Sequence, residues 1–579
     1  MYNKYYQDEL SYLRELGKEF ALANPEAAHF VGEASSDPEV ERLLEGFSFL
    51  TARIRQKLDD EIPELTHALI EMLWPHYLRP IPSMTVLQFE ALPQAAKTVR
   101  SIPRGTEVQS VPVDGTPCKF RTAYDVTLQP WTLESLSART DAQPALKLRF
   151  RMAEGVSLKK LGVSDLRLHL AGETAVSRAL YLCLCRYLKR ITVQPAVGGS
   201  ATAIDGATVR PAGFASDQPL LPYPVASFSG FRFLQEYFAF PSKFMFVDVV
   251  GLRGLQALGD AAAFDLTFEL TDLPRTMPPV SASNVLLHCS PAVNLFSHEA
   301  DPIRMDHERV EYRLRPSGST TDHFEVYTID KVSGIAAGTA AVQEYHPFLR
   351  FARRSGQEAR LYRHRLQPSV VDDQVDVLIN LLHPSSEGGV PDVETLSIEL
   401  TCTNRMLPSR LMIGDVATSA PGSPTFAKFR NITRPTASIP PTLGSDLHWR
   451  LLSHLTLNYL SLVDLETLRR LLGLYHFRAR ADKQSENALR QLLQGLKGVK
   501  STPAMRLFQG TPIRGLHVEI DVDEEGLGGE GETYLLGTVL SEFFAQYVSL
   551  NAFCRLTLNG TKYGEIYQWP SRMGDRILL

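Results

Sequence analysis

Through the first eighty residues the apolar side chains recur every three or four positions, and from Ser83 they alternate instead. That switch of period, from 3.6 to 2, predicts a helical lead followed by sheet. Tyr2, Tyr6, Leu10, Leu13 and Phe20 share one helical face until Asn24-Pro25 breaks the run. Asp37-Pro38 reads as an N-cap and a first helical residue. Val40, Leu43, Leu44, Phe47, Leu50, Ile54 and Leu58 then form a second stripe. Pro63 starts a third, shorter helix that Trp74-Pro75 ends. Amphipathic helices draw most of their stability from packing of the apolar face. Two long ones ahead of any strand need covering by the rest of the chain or by another chain.

Residues 85–90, 146–152, 166–170 and 191–193 read as strands, and 175–188 returns to helical spacing. Between 226 and 410 alternation dominates, with Pro or Gly in most turns, which predicts an antiparallel β region. The expected fold class is multi-domain α+β: a β-rich core, N-terminal amphipathic helices, and a helical segment before a C-terminal α/β unit. The expected divisions are a helical segment 1–82, an α+β domain 83–195, a connection 196–225 and a mainly β domain 226–414. A Pro-rich linker 415–445, a helical segment 446–500 and an α+β unit 501–579 complete the chain. Helical stripes in 446–500 run through Leu447, Leu451 and Leu455, through Leu465, Leu468 and Leu472, and through Ala488, Leu492 and Leu496. The last unit reads as strand 516–522, glycine-rich loop, helix 534–550 and strand 553–558.

Residues 223–246, YPVASFSGFRFLQEYFAFPSKFMF, hold nine aromatics in a chain that is 9% aromatic overall. Phe231 with Phe233, and Phe244 with Phe246, alternate like strand residues, while 234–239 is denser and reads as a short helical turn. Core packing and a docking face both suit such a block, since aromatic residues are enriched in interface centres too. The reading taken is a domain core, with Tyr223 and Tyr237 the two expected to reach a partner.

Sixty basic against 65 acidic residues give a net charge of −5. Nucleic-acid binders usually carry a basic excess, so no nucleic-acid partner is expected. No apolar run approaches the ~20 residues that cross a bilayer, so no membrane insertion is expected. The N-terminus lacks an apolar signal core. Six scattered cysteines read as reduced, and the protein as cytoplasmic.

The most tempting site is DVDEEGLGGEGE, residues 521–532. Gly526, Gly528 and Gly531 satisfy G-x-G-x-x-G between a strand and a helix. Six surrounding carboxylates would repel a pyrophosphate there. Asp521, Asp523, Glu525, Gly526 and Glu532 also fall on EF-hand positions, but an alternating segment precedes them where a calcium loop has a helix. A solvated acidic turn is the expectation, with calcium or nucleotide binding the rival. His288, Cys289, His298 and His307 match no zinc spacing. His448 and His454 are six apart, not the four of H-E-x-x-H. Arg350, Arg353, Arg354, Arg360, Arg363 and Arg365 read as a solvated basic face. No catalytic, cofactor or metal residues are assigned, and the protein is expected not to be an enzyme.

Several blocks, in order, carry a family resemblance: MYNKYYQDELSYLRELGKEFALANPEAA, LWPHYLRPIPSMTVLQFE, IPRGTEVQS, LPYPVASFSGFRFLQEYFAFPSKFMFVDVVGL, HCSPAVNLF, LTCTNRMLPSRL and YLLGTVLSEFFAQYVSLNAFCRLTL. Together they resemble the TssF family, baseplate subunits of the bacterial type VI secretion system. The resemblance implies a structural wedge subunit, two copies of which join one TssG. That complex would meet TssK, TssE, neighbouring wedges and the VgrG hub at the inner face of the inner membrane, as a platform for tube and sheath. It also implies that the leading helices enter a shared bundle, so Tyr2, Tyr5, Tyr6, Leu10, Leu13, Val40, Leu43, Leu44 and Phe47 are its expected partner-binding residues. A phage-tail-like baseplate protein is the near alternative.

Overall fold

The computed structural model describes residues 6–7, 10–13, 16, 38–59, 63–223, 228–305, 309–318, 323–336, 342–348, 360–369, 375–382, 394–441, 443, 464–508, 510–549 and 552–574. The helices of two turns or more that are described over their full length are α1 (Pro38–Asp59), α2 (Pro63–Leu73), α3 (Thr174–Cys185), α4 (Gly230–Ala239), α5 (Leu465–Tyr475), α6 (Lys483–Gly495) and α7 (Glu530–Gln546). Prolines open α1 and α2, where a missing N–H costs nothing. Asp464 and Asp482 cap α5 and α6 by accepting from Thr467 N and Ser485 N.

The protein is a multi-domain, β-rich α+β protein with several sheets. One six-stranded sheet runs Thr418–Ser419, Glu107–Val113, Thr116–Thr122, Cys289–Val293, Met84–Ala91, Ala427–Asn431. An eight-stranded sheet is built from residues between Phe296 and Thr403 and has its own core around Val332, Ile379, Leu396 and Leu400. The largest core joins Ile70, Tyr77, Phe150, Leu180, Phe246, Leu471, Val539 and Leu558. The N-terminal helical end and the C-terminal unit therefore share one interior with the residues between.

That shared interior corrects the divisions read from sequence. Residues 415–445 are not a linker: Ala427–Asn431 pairs antiparallel with Met84–Ala91, and Thr418–Ser419 pairs with Glu107–Val113. Both are edge strands, and the five prolines of the segment fall outside them, where a missing donor is tolerated. The 196–225 connection likewise carries edge strands Thr202–Ala203 and Thr208–Pro211. Phe231 and Phe233 lie in α4, not in a strand, and Phe244 ends a 3-10 turn. Every residue of α4 is buried. Its polar side, Arg232, Gln235 and Glu236, is buried too, so no solvent-facing side marks the helix.

The stripe through Leu447, Leu451 and Leu455 lies outside the described residues. Leu496 opens a strand rather than closing a helix. Leu496–Phe508 and Thr511–Val522 form a long hairpin. Thr511–Val522 then runs parallel to Phe553–Gly560, with α7 as the crossover, a βαβ unit.

Candidate docking face

α1 places Leu43, Phe47 and Leu50 within about 60° of one another around its axis. All three point outward: Leu43 is 75% exposed, Phe47 55% and Leu50 59%. The side turned inward carries Ser48 and Ala52, both fully buried. Ser48 Oγ donates to Leu44 O at 2.7 Å, so its hydroxyl is satisfied within the helix. Over residues 42–52 the helix thus hides small residues and shows large apolar ones, the reverse of a helix whose partner is its own chain. Full covering of each large side chain contributes about 1.5–3 kcal/mol. Leu44 is half-buried beside the stripe.

Of the earlier helical stripe, Tyr6, Leu10 and Leu13 are half-buried, while Tyr12 and Leu16 are exposed. Tyr2, Tyr5 and the side chain of Val40 lie outside the described residues.

The two aromatic-block tyrosines face inward. Tyr237 is 3% exposed and donates to Glu532 Oε1 at 2.6 Å, which corrects its expected place on a docking face. Tyr223 is half-buried, its hydroxyl 3.1 Å from His76 Nε2. The block packs as core. Phe231 stacks on Tyr475 at 5.1 Å and meets Phe543 at 5.8 Å, and Phe228 lies 4.1 Å from Tyr547. These rings hold α5 and α7 against α4.

Sequence reasoning missed what lies under the block. Glu236 and Lys243 are both fully buried and form an ion pair, with Arg232 at 4.0 Å from the same carboxylate. Glu236 Oε1 also accepts from Leu220 N and Leu221 N, at 2.7 and 3.1 Å. Burial pushes the Lys243 ammonium down to about 8, against the pull of Glu236. Lone charged letters in an aromatic run were the signal.

The 521–532 loop is wired into the protein one carboxylate at a time. Asp521 accepts from Asn559 Nδ2, Glu524 from Lys562 N, Glu525 from the Lys562 ammonium and Tyr563 Oη, and Glu530 from Arg275 N. Glu532 is held by Arg178 and Tyr237. Glu525 and Glu532 are already paired with Lys562 and Arg178, and among the described residues no group of three His, Cys, Asp or Glu side chains is arranged to hold a metal. Gly528 and Gly529 occupy the left-handed region, at φ 98° and 106°. Gly531 is a packing residue: a Cβ there would fall 2.6 Å from Arg178 O of α3.

The remaining candidates disperse. His288 Nε2 accepts from Gln129 N at 3.1 Å, and His298 Nε2 lies 2.8 Å from Ser317 O. His307, His448 and His454 lie outside the described residues, as do Arg350, Arg353 and Arg354. Arg360 pairs with Glu394 and Arg365 with Glu311, so this end of the basic cluster ties strands together.

The family model described as "Type VI secretion system, TssF" matches residues 2–576. The chain is 33% identical to the type VI secretion system component TssF1 of Pseudomonas aeruginosa, over 99% of this chain and 98% of the relative. It superposes with TM-score 0.76 and 33% identity on a chain of a TssK-TssF-TssG baseplate subcomplex, covering 93% of this chain and 99% of that one. A chain of a type VI secretion baseplate complex matches over the full length of both, with TM-score 0.66 and 28% identity.

Proposed function

Because the chain belongs to the TssF family of type VI secretion baseplate components, we propose that it works as a scaffold whose α1 stripe is covered by partner helices in the assembled wedge. The carrying observation is the outward set of Leu43, Phe47 and Leu50 opposite buried Ser48 and Ala52. Solved relatives place TssF with TssK and TssG, and these are the first partners proposed here. A helix bundle made by two copies of this chain and one TssG would cover the exposed Leu43, Phe47 and Leu50 of α1. TssE, the VgrG hub and neighbouring wedges follow as further partners, and the inner face of the inner membrane as the place of assembly. No described helix is long and apolar enough to cross a membrane. A scaffold role also fits the acidic 521–532 loop, whose carboxylates are spent on internal contacts.

The test is co-purification of the full chain with TssG and TssK after Leu43→Asp, Phe47→Asp and Leu50→Asp are combined. The triple variant is expected to keep its unfolding temperature and lose the complex. An undiminished complex would overturn the assignment.

A further inference from the structure

The Leu496–Phe508/Thr511–Val522 hairpin outruns its sheet. Its two strands stay in register from Leu496↔Val522 out to Phe508↔Thr511. The third strand, Phe553–Gly560, follows only as far as Gly515. Residues 505–508 and 511–514 therefore form a two-stranded ribbon beyond the sheet, and such ribbons are marginal in water by themselves. Met505 and Leu507, two apart and so on one face, are 70% and 71% exposed. Arg514 stands opposite Met505 in the register and is exposed as well.

Charge singles this ribbon out further. Residues 496–516 contain Lys497, Lys500, Arg506 and Arg514 and no Asp or Glu. The outer strand, Leu496–Phe508, pairs on one side only among the described residues. Lysines and Pro503 blunt its inner half in the usual way. From Ala504 to Phe508 the outward N–H and C=O groups have no such protection.

We propose that this ribbon is a docking arm whose free edge and Met505/Leu507 face receive an acidic, apolar strand of another polypeptide. Strand pairing would satisfy the outward backbone groups, apolar side chains would cover Met505 and Leu507, and carboxylates on the other face would meet Arg506. An anionic lipid surface offers the charge but not the strand edge. A second copy of the same arm brings like charges together. This surface is separate in sequence from the α1 stripe and goes beyond its reading.

The test uses the full chain and two labelled strand peptides of about ten residues, one alternating Glu with Val and the other Lys with Val, together with phosphatidylglycerol vesicles. The Glu–Val peptide is expected to bind and to slow amide exchange at residues 504–508, and the Lys–Val peptide is not. Met505→Asp with Leu507→Asp should weaken binding about tenfold or more, and Arg506→Glu should reverse the peptide preference. These side chains are exposed, so the unfolding temperature should hold. Because the exchange footprint is read on the natural chain, it stands whatever the variants do. Equal binding of both peptides, binding of neither, a footprint elsewhere, or capture of vesicles in place of peptide would each overturn the proposal.

Discussion

The phenol of Tyr237 donates a 2.6 Å hydrogen bond to Glu532 Oε1, joining the aromatic helix α4 to the first turn of α7. Arg178 of α3 holds the other oxygen of the same carboxylate. One acidic residue of the glycine-rich loop thus fastens three helices. Tyr237→Phe keeps the ring and removes the donor. It should lower stability by about 1.5–3 kcal/mol, the range for hydrogen bonds to charged groups, read as a shift in urea midpoint at constant slope. Co-purification with TssG and TssK should be untouched; its loss would return Tyr237 to a docking face.

Gly531 sits where α7 crosses the backbone of α3, and any Cβ would press on Arg178 O and C at 2.6 and 2.7 Å. A backbone carbonyl yields less easily than a side-chain tip. Gly531→Ala should therefore cost about 1–3 kcal/mol as an overpacking strain. A thermal melt with and without NAD checks the reading: the variant melts lower, and the nucleotide moves neither melt.

The buried Glu236–Lys243 pair is the costliest place to remove one partner. Lys243→Met leaves Glu236 inside with two backbone donors and a distant Arg232. Breaking a buried pair by removing one partner costs about 3–5 kcal/mol. Chemical denaturation should show the single variant strongly destabilised. A cost below that of an ordinary surface substitution would mean that the pair is not formed.

The α1 and α2 boundaries were legible because proline and a 3.6-residue period agree over a long stretch, and Met84–Ala91 because its alternation is clean. α4 was read only over 234–239, because Phe231 and Phe233 also alternate and its polar side, Arg232, Gln235 and Glu236, faces an internal ion pair rather than solvent. The outer hairpin strand was hidden for the opposite reason: LKGVKSTPAMRLF has too little buried face to alternate. Ala427–Asn431 alternates buried and exposed residues like a strand, but it is only five residues long and set among prolines, and its pairing with Met84–Ala91 settles it. The outward stripe of α1 was readable as apolar, but which side of the helix the protein itself covers is a matter of tertiary packing.

The acidic loop offers a cheap discrimination. Calcium would have to displace the Lys562 ammonium from Glu525 and Arg178 from Glu532. Titration calorimetry with calcium is expected to show no stoichiometric heat in the micromolar range. A one-to-one signal abolished by Glu525→Gln would restore the metal reading.

Stability should fall in mild acid, and three histidines say where. Burial holds His76 down to about 3 and His169 and His288 down to about 4. His288 Nε2 lies 3.1 Å from both the backbone N and the side-chain Oε1 of Gln129. Unfolded histidines take up protons near 6.5. Between that value and about 4 the unfolded chain binds more protons than the folded one, so stability drops as pH falls, by up to about 1.4 kcal/mol per pH unit for each histidine. Glu71 works the other way: burial raises its carboxyl to about 7, so its contribution is present below its ordinary range and is lost as pH rises through 7. His364, 3.8 Å from Glu71, is likewise held down to about 4 by burial, and burial lowers His67 and His476 as well, so the histidines outweigh the raised carboxyls and the acid limb is the steeper. Denaturant midpoints measured from pH 7 to 4.5 should fall steadily, and His288→Gln should flatten the slope by about one proton. A profile that stays level across that interval, or one that His288→Gln leaves unchanged, would mean that these imidazoles are reached by water in the folded protein.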